Sequence, residues 1–356
     1  MVVVRLENIK HIYPGNVEAV RGVSITFDST FNALLGPSGC GKTTLMKIIA
    51  GLLRPTEGKV YFDDNDVTDL TPQARNIAMV FQFPVVYSMS VFDNIAFPLK
   101  VRKTPEIEVR KRVHEIAKFL DLEKVLHLDA SILDINTRQR VAIARALVRD
   151  PTLFILDEPF SNIDPSQRLI LRAKLKEIQR DLRKTMIFVT HDQTEALTLA
   201  NKIAVMKDGK ILQYDDSERI YHEPQHIFVA YFIGMPGMNL LETYLENRLL
   251  KVGEISINVP QNIRELLEPH GKEFIIGIRA EYIDVGKEPQ NHKDIPLKCT
   301  LIENLGALRL LHLEGKGITL KVKITSALEI QEGMILYVRF ALDKIKIFKK
   351  SGERII

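Results

Sequence analysis

Residues 36–44 read GPSGCGKTT and directly follow the apolar run NALL. The stretch fits the pattern G-x-x-x-x-G-K-[ST], in which glycines let backbone N–H groups close around phosphates and the next helix adds its positive end. The strand-like run before it and the helix-like run TTLMKIIAGLL after it are the context of a phosphate-binding P-loop. The sequence therefore predicts an α/β P-loop NTPase fold, with phosphates held by Gly36, Pro37, Ser38, Gly39, Cys40, Gly41, Lys42, Thr43 and Thr44.

Two P-loop side chains and two carboxylates carry the predicted chemistry. Lys42 is expected to reach the β- and γ-phosphates, and the Thr43 hydroxyl is expected to bind Mg²⁺. Phosphoryl transfer also needs a metal anchor and a group that orients water. The buried run LFILDEP at 153–159 supplies both, because Asp157 suits Mg²⁺ and Glu158 suits polarising the attacking water. A strand-end Asp-Glu pair without a P-loop would as readily be a helix cap or a surface pair.

Two further residues follow apolar strand-like runs. His191 ends the run FVTH and is a candidate for contact with the γ-phosphate, although a lone histidine at a strand end is more often structural. Gln82 lies just past the run MVF, where its amide could contact Mg²⁺ and water. Taken alone, Gln82 would be an ordinary loop residue.

Composition limits the other classes of function. Hydrophobic residues make up 46% of the 356-residue chain and charged residues 26%, which is typical of a globular protein. The net charge of +4 is weak evidence for nucleic-acid binding, so no nucleic-acid partner is predicted. Two distant cysteines, Cys40 and Cys299, indicate a reducing compartment. No apolar run approaches the ~18–20 residues of a membrane span, so a cytosolic protein is expected.

The pattern of apolar residues changes along the chain. Up to about residue 233, strand-like runs alternate with helical ones, which predicts a largely parallel sheet. Beyond it, short alternating runs separated by Gly, Pro and Asn predict an all-β, barrel-like module. GMPGMNLLE at 234–242 is the predicted junction, which gives domains of 1–233 and 234–356.

Five motifs together resemble the ATP-binding cassette (ABC) ATPases. They are GPSGCGKTT, MVFQ, RQRVAIARALVRDP, LFILDEPFSNID and VTHDQTEAL, in the order and spacing of that family. The resemblance implies a head-to-tail dimer with two ATP molecules at its interface, and hydrolysis of ATP to ADP and phosphate. It further implies that Tyr13 stacks on adenine, that Asp164 crosses the dimer interface, and that Gln82 begins the loop that senses the membrane subunits. A plain structural tyrosine is the alternative for Tyr13.

The tail is similar to the carbohydrate-importer ATPases of the maltose and glycerol-phosphate type. GIRAEYI and LIENLGALRLLHL look like their β-barrel extension, which forms an OB-like regulatory domain. The segment after Gln82 is closer to the glycerol-phosphate branch. This resemblance implies uptake of a sugar, polyol or glycerol phosphate, with membrane permease subunits and an extracellular solute-binding protein as partners. It implies a peripheral position on the cytoplasmic face of the membrane. A non-transport ATP-binding regulator and a nucleic-acid-processing ATPase are the rival classes.

One element departs from the family. Where the family has Leu-Ser-Gly-Gly-Gln, which contacts the γ-phosphate held by the opposite subunit, this chain has Leu133, Asp134, Ile135, Asn136 and Thr137. Ile135 puts a branched side chain where backbone must approach phosphate, and Asp134 brings a negative charge. At ~4 Å and an effective dielectric near 20, that like-charge pair costs about 4 kcal/mol. Alternatively, Asp134 or Asn136 caps the following helix.

The departure affects the partner's nucleotide rather than this chain's own. Lys42, Thr43, Asp157, Glu158 and His191 would act on the ATP that this chain binds. A homodimer would therefore contain two poor sites, whereas pairing with a second ATPase that keeps the intact motif would give one good site. A heterodimer is accordingly favoured over a homodimer.

Overall fold

The protein was examined as a computed structural model that describes residues 2–161, 163–182, 184–290, 294–325 and 328–356. The chain divides into two compact units, Met1–Ser217 and Glu218–Ile356. Residues 218–233, which the sequence analysis assigned to the first domain, belong to the second unit in this division. The domain boundary after residue 233 stays a prediction. Among the described residues, none of the helices has both the length and the apolar character needed to cross a membrane.

The first unit interleaves strands and helices. Its strands are β1 (Val4–Tyr13), β2 (Val17–Phe27), β3 (Phe31–Leu35), β4 (Glu57–Phe62), β5 (Asn65–Asp66), β6 (Ile77–Val80), β7 (Leu153–Asp157), β8 (Thr185–Thr190), β9 (Lys202–Lys207) and β10 (Lys210–Asp216). Its helices are α1 (Lys42–Ile49), α2 (Val91–Val101), α3 (Glu106–Phe119), α4 (Ile135–Leu147), α5 (Pro165–Leu182) and α6 (Gln193–Leu199). The short helix α7 (Ser217–His222) begins at the boundary between the units.

Two sheets form this unit. The order of the first is β2-β1-β4-β5, and its pairs are antiparallel. The order of the second is β10-β9-β3-β8-β7-β6, in which β9, β3, β8, β7 and β6 run parallel. Every residue of β3, β7 and β8 is buried, as expected for central parallel strands covered on both faces. The predicted mixed, mostly parallel α/β fold is therefore confirmed.

Helix α4 begins three residues before the motif RQRVAIARAL. Its first residue is Ile135, and Asp134 is its N-cap. The Asp134 carboxylate accepts a hydrogen bond from the Thr137 backbone N–H at 3.0 Å, which satisfies a donor that the first turn leaves unpaired. The capping alternative for Asp134 is therefore correct, and the element LDINT is largely the first turn of a helix.

The second unit is an antiparallel, barrel-like β structure. Its helices are α8 (Ile227–Phe232) and α9 (Gln261–Leu267). Its strands are β11 (Asn239–Glu246), β12 (Leu249–Val252), β13 (Ile255–Asn258), β14 (Glu273–Ile278), β15 (Ile283–Gly286), β16 (Ile295–Asn304), β17 (Leu308–Gly315), β18 (Ile318–Thr325), β19 (Ile335–Phe340) and β20 (Lys346–Lys349). They form two sheets in the orders β13-β12-β11-β14-β20 and β15-β19-β16-β17-β18.

Alternation of buried and exposed residues explains this architecture. Strand β18 alternates almost strictly between the two classes, so one face packs on the core and the other faces solvent. The inward side chains, including Phe274, Leu313 and Val338, form one continuous apolar cluster. The prediction of an all-β tail is confirmed. The alternating run ILYVRFALDKIKIF, which reads as a single strand-like segment, forms two strands, β19 and β20, in different sheets. A 3₁₀ turn at Leu342–Lys344 separates them, and period-2 patterning does not reveal such a turn.

Candidate nucleotide site

The predicted site residues meet at one edge of the parallel sheet. Strands β3, β8, β7 and β6 are neighbours and run in the same direction, so their carboxyl ends lie side by side. The P-loop follows β3, His191 follows β8, Asp157 ends β7, and Gln82 lies two residues past β6. In open α/β sheets ligands bind at this edge.

The P-loop has glycines where a side chain would clash. A Cβ at Gly36 would lie 2.2 Å from the Met206 carbonyl oxygen, and one at Gly41 would lie 2.2 Å from that of Ala19. Gly41 also has a φ of 105°, in the left-handed region that favours glycine. The buried Lys42 donates from Nζ to the carbonyl oxygens of Gly36 and Pro37, each at 2.8 Å. Its ammonium group therefore folds back over the loop.

Thr43 and Asp157 lie near each other at this edge. The Asp157 carboxylate is almost fully buried. Burial raises the pKa of Asp157, the neighbouring Glu158 carboxylate adds to that rise, and the Thr43 hydroxyl and the charge of Lys42 oppose it. A buried carboxylate of this kind gains from a nearby cation.

Glu158 lies between two other predicted residues. Gln82 donates from Nε2 to one carboxylate oxygen of Glu158 at 3.1 Å, and His191 contacts the other through Nδ1 at 3.2 Å. Glu158 has a φ of 46°. Positive φ values are uncommon for residues other than glycine, and residues with such strained backbone cluster at functional sites. Its backbone N–H donates to the Val189 carbonyl oxygen at 3.0 Å, which holds it against β8. Three predicted residues thus form one hydrogen-bonded group.

Tyr13 lies at the end of β1, close to the P-loop. Its hydroxyl is 3.2 Å from the Thr44 hydroxyl, with which it shares a hydrogen bond. Its half-buried ring packs edge-on against His11, with ring centroids 4.6 Å apart. The structure therefore brings Tyr13 to the P-loop helix.

The polar atoms of the LDINT element bind within the chain. Asp134 accepts from the Thr137 backbone and also from its hydroxyl, at 2.6 Å. Burial raises the pKa of Asp134, but the hydrogen bonds from Thr137 outweigh it, and the net pKa lies below its usual value. Asp134 therefore stays charged at neutral pH. Ile135 is 40% exposed beside it.

Sequence reasoning missed a contact between the LDINT element and Asp164. Asn136 donates from Nδ2 to the Asp164 carboxylate at 2.8 Å and accepts from the Asp164 backbone N–H at 3.4 Å. It also missed buried Gln139, whose Nε2 donates to the Pro159 carbonyl oxygen at 3.3 Å. Both contacts join α4 to the segment after β7. The partners lie 28 and 20 residues apart, so no local spacing rule could have found them.

Comparisons with known proteins agree with this geometry. The sequence pattern of the ABC transporter family matches residues 21–161, which run from β2 through the P-loop and β7. The chain also aligns over nearly its full length with import ATP-binding proteins at 40% identity. The protein therefore belongs to the ABC transporter ATPases: it binds ATP, and ATP hydrolysis is its expected reaction.

Three individual relatives show how far the sequence similarity extends. The chain is 40% identical to the oligosaccharides import ATP-binding protein MsmX of Bacillus subtilis, over 99% of both chains. It is 40% identical to the trehalose/maltose import ATP-binding protein MalK of Thermococcus litoralis, over the whole of both. It is also 40% identical to the sn-glycerol-3-phosphate import ATP-binding protein UgpC of Bordetella avium, over 88% of this chain and 86% of that protein.

Solved structures match a smaller part of the chain. The structure of cbiO1 from Clostridium perfringens, part of an ABC transporter complex, superposes with a TM-score of 0.58 at 30% identity, covering 62% of this chain and 90% of that one. The dimeric, ADP- and phosphate-bound cassette MJ0796 superposes with a TM-score of 0.55 at 29% identity, covering 60% of this chain and 98% of that one.

Proposed function

We propose that the chain is the ATP-hydrolysing subunit of an importer for a small sugar, polyol or glycerol phosphate. It would act at the cytoplasmic face of the membrane with permease subunits and an extracellular solute-binding protein. The observation that carries this proposal is the extent of the similarity. The two solved cassettes cover 60–62% of the chain, whereas MsmX and MalK cover 99–100% and so include its β-rich unit.

The site residues would have distinct roles in ATP hydrolysis. The P-loop amides would hold the phosphates, and Lys42 would leave the Gly36 and Pro37 carbonyls to reach the β- and γ-phosphates. Glu158 would polarise the attacking water, with its carboxylate oriented by Gln82 and His191. The His191 side chain is exposed and would turn towards the γ-phosphate. Tyr13 would stack on adenine.

The donor set fits Mg²⁺. This ion prefers hydroxyl, carboxylate and amide oxygens and usually keeps substrate phosphates among its ligands. Thr43 lies close enough to Asp157 to lower the pKa of its carboxylate, and Gln82 lies at the same sheet edge. Among the described residues, no group of three or more His, Cys, Asp or Glu is arranged to hold a metal. Nucleotide phosphates would therefore complete the site, where Mg²⁺ would neutralise charge on them.

The LDINT element supports a partnership with a second ATPase. Asp134 keeps its negative charge and only accepts hydrogen bonds, from Thr137, so it would repel a partner's γ-phosphate and offers it no donor. In a homodimer both sites would meet this element. A different ATPase with an intact motif would leave one good site, built on the P-loop of this chain.

Two measurements test the proposal. The complex purified from native membranes and reconstituted in vesicles should take up labelled trehalose, maltose or sn-glycerol 3-phosphate only with ATP. The chain alone should hydrolyse ATP at least tenfold more slowly than a mixture with the ATPase that co-purifies with it. Absence of any permease from the native complex would contradict the transport role. Vigorous hydrolysis by the chain alone would contradict the heterodimer.

A further inference from the structure

A buried carboxylate lies behind the turn that carries His191. Glu195 belongs to the first turn of α6, and its side chain is only 5% exposed, although glutamate is almost never fully buried unless it is paired. One carboxylate oxygen accepts a hydrogen bond from the Thr190 hydroxyl at 2.6 Å, and the other accepts from Arg172 of α5 at 2.9 Å. Both oxygens therefore have partners within the protein, and one partner is the residue that precedes His191.

The Thr190 hydroxyl connects this carboxylate to the backbone around His191. It donates its one proton to Glu195, so its lone pairs are left to accept, and the Asp192 backbone N–H donates to it at 3.0 Å. The Asp192 carboxylate accepts in turn from the backbone N–H groups of Thr194 and Glu195, at 2.7 and 3.2 Å, and so caps α6. The residues on both sides of His191 are therefore fixed by hydrogen bonds that lead to Glu195.

Arg172 joins the carboxylate to the other elements of the site. Its guanidinium donates to Glu195 and lies 3.9 Å from an oxygen of Asp192 and 5.7 Å from the centre of the Phe160 ring. Phe160 is two residues past Glu158, on the segment after β7. Hydrogen bonds between two charged groups are stronger than neutral ones, and removing one partner of a buried ion pair is costly. The ion pair therefore holds α5, α6 and the segment after β7 together.

We propose that Glu195 is a positioning residue for ATP hydrolysis and acts through Thr190 on His191. The exposed His191 ring contacts the Glu158 carboxylate at 3.2 Å. Because the reach of a side chain is set by its backbone, the hydrogen-bonded turn would keep this ring within reach of both Glu158 and the γ-phosphate. Glu195 itself would touch neither ATP nor the attacking water. The inference rests on the proposed role of His191, so the experiment follows the ring as well as the rate.

Thr190→Val and Glu195→Gln each alter one end of the contact, and both are assayed in the complex with the ATPase that co-purifies with the chain. Thr190→Val keeps the shape of the side chain but removes its donor and its acceptor. Glu195→Gln turns an amide N–H₂ group towards Arg172 or the Thr190 hydroxyl, both of which already donate. Each change should lower kcat about ten- to a hundredfold, as small misplacements of reacting groups do, with ATP affinity within about threefold. Thr190→Ser keeps the hydroxyl and should restore most of the rate.

Thr185→Val is the matched control. Thr185 begins β8, at the opposite end of this strand from His191, and is fully buried. Its hydroxyl also makes two hydrogen bonds, to the Val2 carbonyl oxygen at 2.6 Å and from the Val2 N–H at 3.1 Å. Thermal unfolding should show comparable losses of stability in Thr185→Val and Thr190→Val, but Thr185→Val should keep kcat within about threefold. Equal losses of kcat in the two would assign the effect to stability and overturn the inference.

Two measurements show whether the effect passes through His191. In a His191→Ala background, Thr190→Val should lower the remaining rate by less than about twofold, because both changes act on the same side chain. In NMR spectra of the full chain with labelled histidines, the His191 imidazole signal is the one that His191→Ala removes. This signal should shift in Thr190→Val and Glu195→Gln and stay in place in Thr185→Val.

The outcomes separate this inference from the proposed function. If His191→Ala slows hydrolysis but the His191 signal does not move in Glu195→Gln, the inference alone is overturned. Full additivity of the rate losses in the double variant overturns it as well. If His191→Ala hydrolyses ATP at the normal rate, the proposed role of His191 fails, and the inference fails with it. If Thr190→Val does not fold, Glu195→Gln decides the outcome in the same assays.

Discussion

The carboxyl edge of the parallel sheet and the first turn of α4 use polar residues in opposite ways. At the sheet edge, Gln82, Glu158 and His191 form a group beside the P-loop, where a nucleotide can reach them. At α4, Asp134 and Thr137 bind each other, and Asn136 binds Asp164. The first group lies beside the P-loop, where we propose that ATP binds, whereas the second joins α4 to the segment after β7.

The largest expected effect is on the rate of ATP hydrolysis, and it comes from a substitution at the sheet edge. Glu158→Gln keeps the shape of the side chain but removes the group proposed to polarise water. Hydrolysis by the complex should fall about 10²–10⁴-fold, while ATP affinity stays within a few-fold. Steady-state phosphate release and equilibrium nucleotide binding measure the two quantities. Glu177→Gln, an exposed change on α5, is the control. Hydrolysis retained at a tenth or more of the normal rate would remove Glu158 from this role.

Restoring the family motif in the first turn of α4 should let this region contact a partner's ATP. Asp134→Ser, Ile135→Gly, Asn136→Gly and Thr137→Gln together remove a charge and a branched side chain from the path of a partner's phosphate. The like-charge cost of about 4 kcal/mol limits the gain to about a thousandfold, and we expect ATP-dependent self-dimerisation to strengthen at least tenfold. Sizing chromatography with ATP, in a Glu158→Gln background, measures it. An unchanged elution volume would mean that LDINT is not the obstacle.

Substitutions of Tyr13 test whether the candidate nucleotide site also contacts the adenine base. Tyr13→Ala should weaken ATP binding about tenfold, because stacking on a base is worth about 1–3 kcal/mol. Tyr13→Phe keeps the ring and loses only the hydrogen bond to Thr44, so it should bind ATP almost normally. Fluorescent-nucleotide titration measures both variants. Equal losses in the two would assign the effect to the hydroxyl and leave the ring without a role.

The smallest effect concerns the cap of α4. Asp134→Ala should lower the free energy of unfolding by about 1 kcal/mol, whereas Asp134→Ser should be nearly neutral. The folded-state pKa of Asp134 lies below its ordinary value of 3.8, so the charged cap stabilises the fold above that value. This contribution is lost as the pH falls through the lowered pKa. Urea unfolding from about pH 7 to pH 2 should therefore show the Ala variant converging on the unaltered chain. A constant difference would contradict a charged cap.

Much of the nucleotide site was predictable because its parts sit at fixed positions relative to strands. The P-loop, Asp157, Glu158, His191 and Gln82 each end or follow an apolar run, and parallel strands bring those ends together. The Asn136–Asp164 and Gln139–Pro159 contacts were not predictable. They join residues distant in sequence, and neither has a local pattern that marks it.

The sequence by itself determined the class of protein, the position of each candidate catalytic group and the change from parallel α/β to antiparallel β structure. Local spacing and apolar periodicity suffice for these, because they reflect backbone geometry within single elements. Only the tertiary structure decided that Asn136 holds Asp164 and that Gln139 reaches the Pro159 carbonyl oxygen. Those outcomes depend on which surfaces pack together, and packing brings together residues that are far apart along the chain.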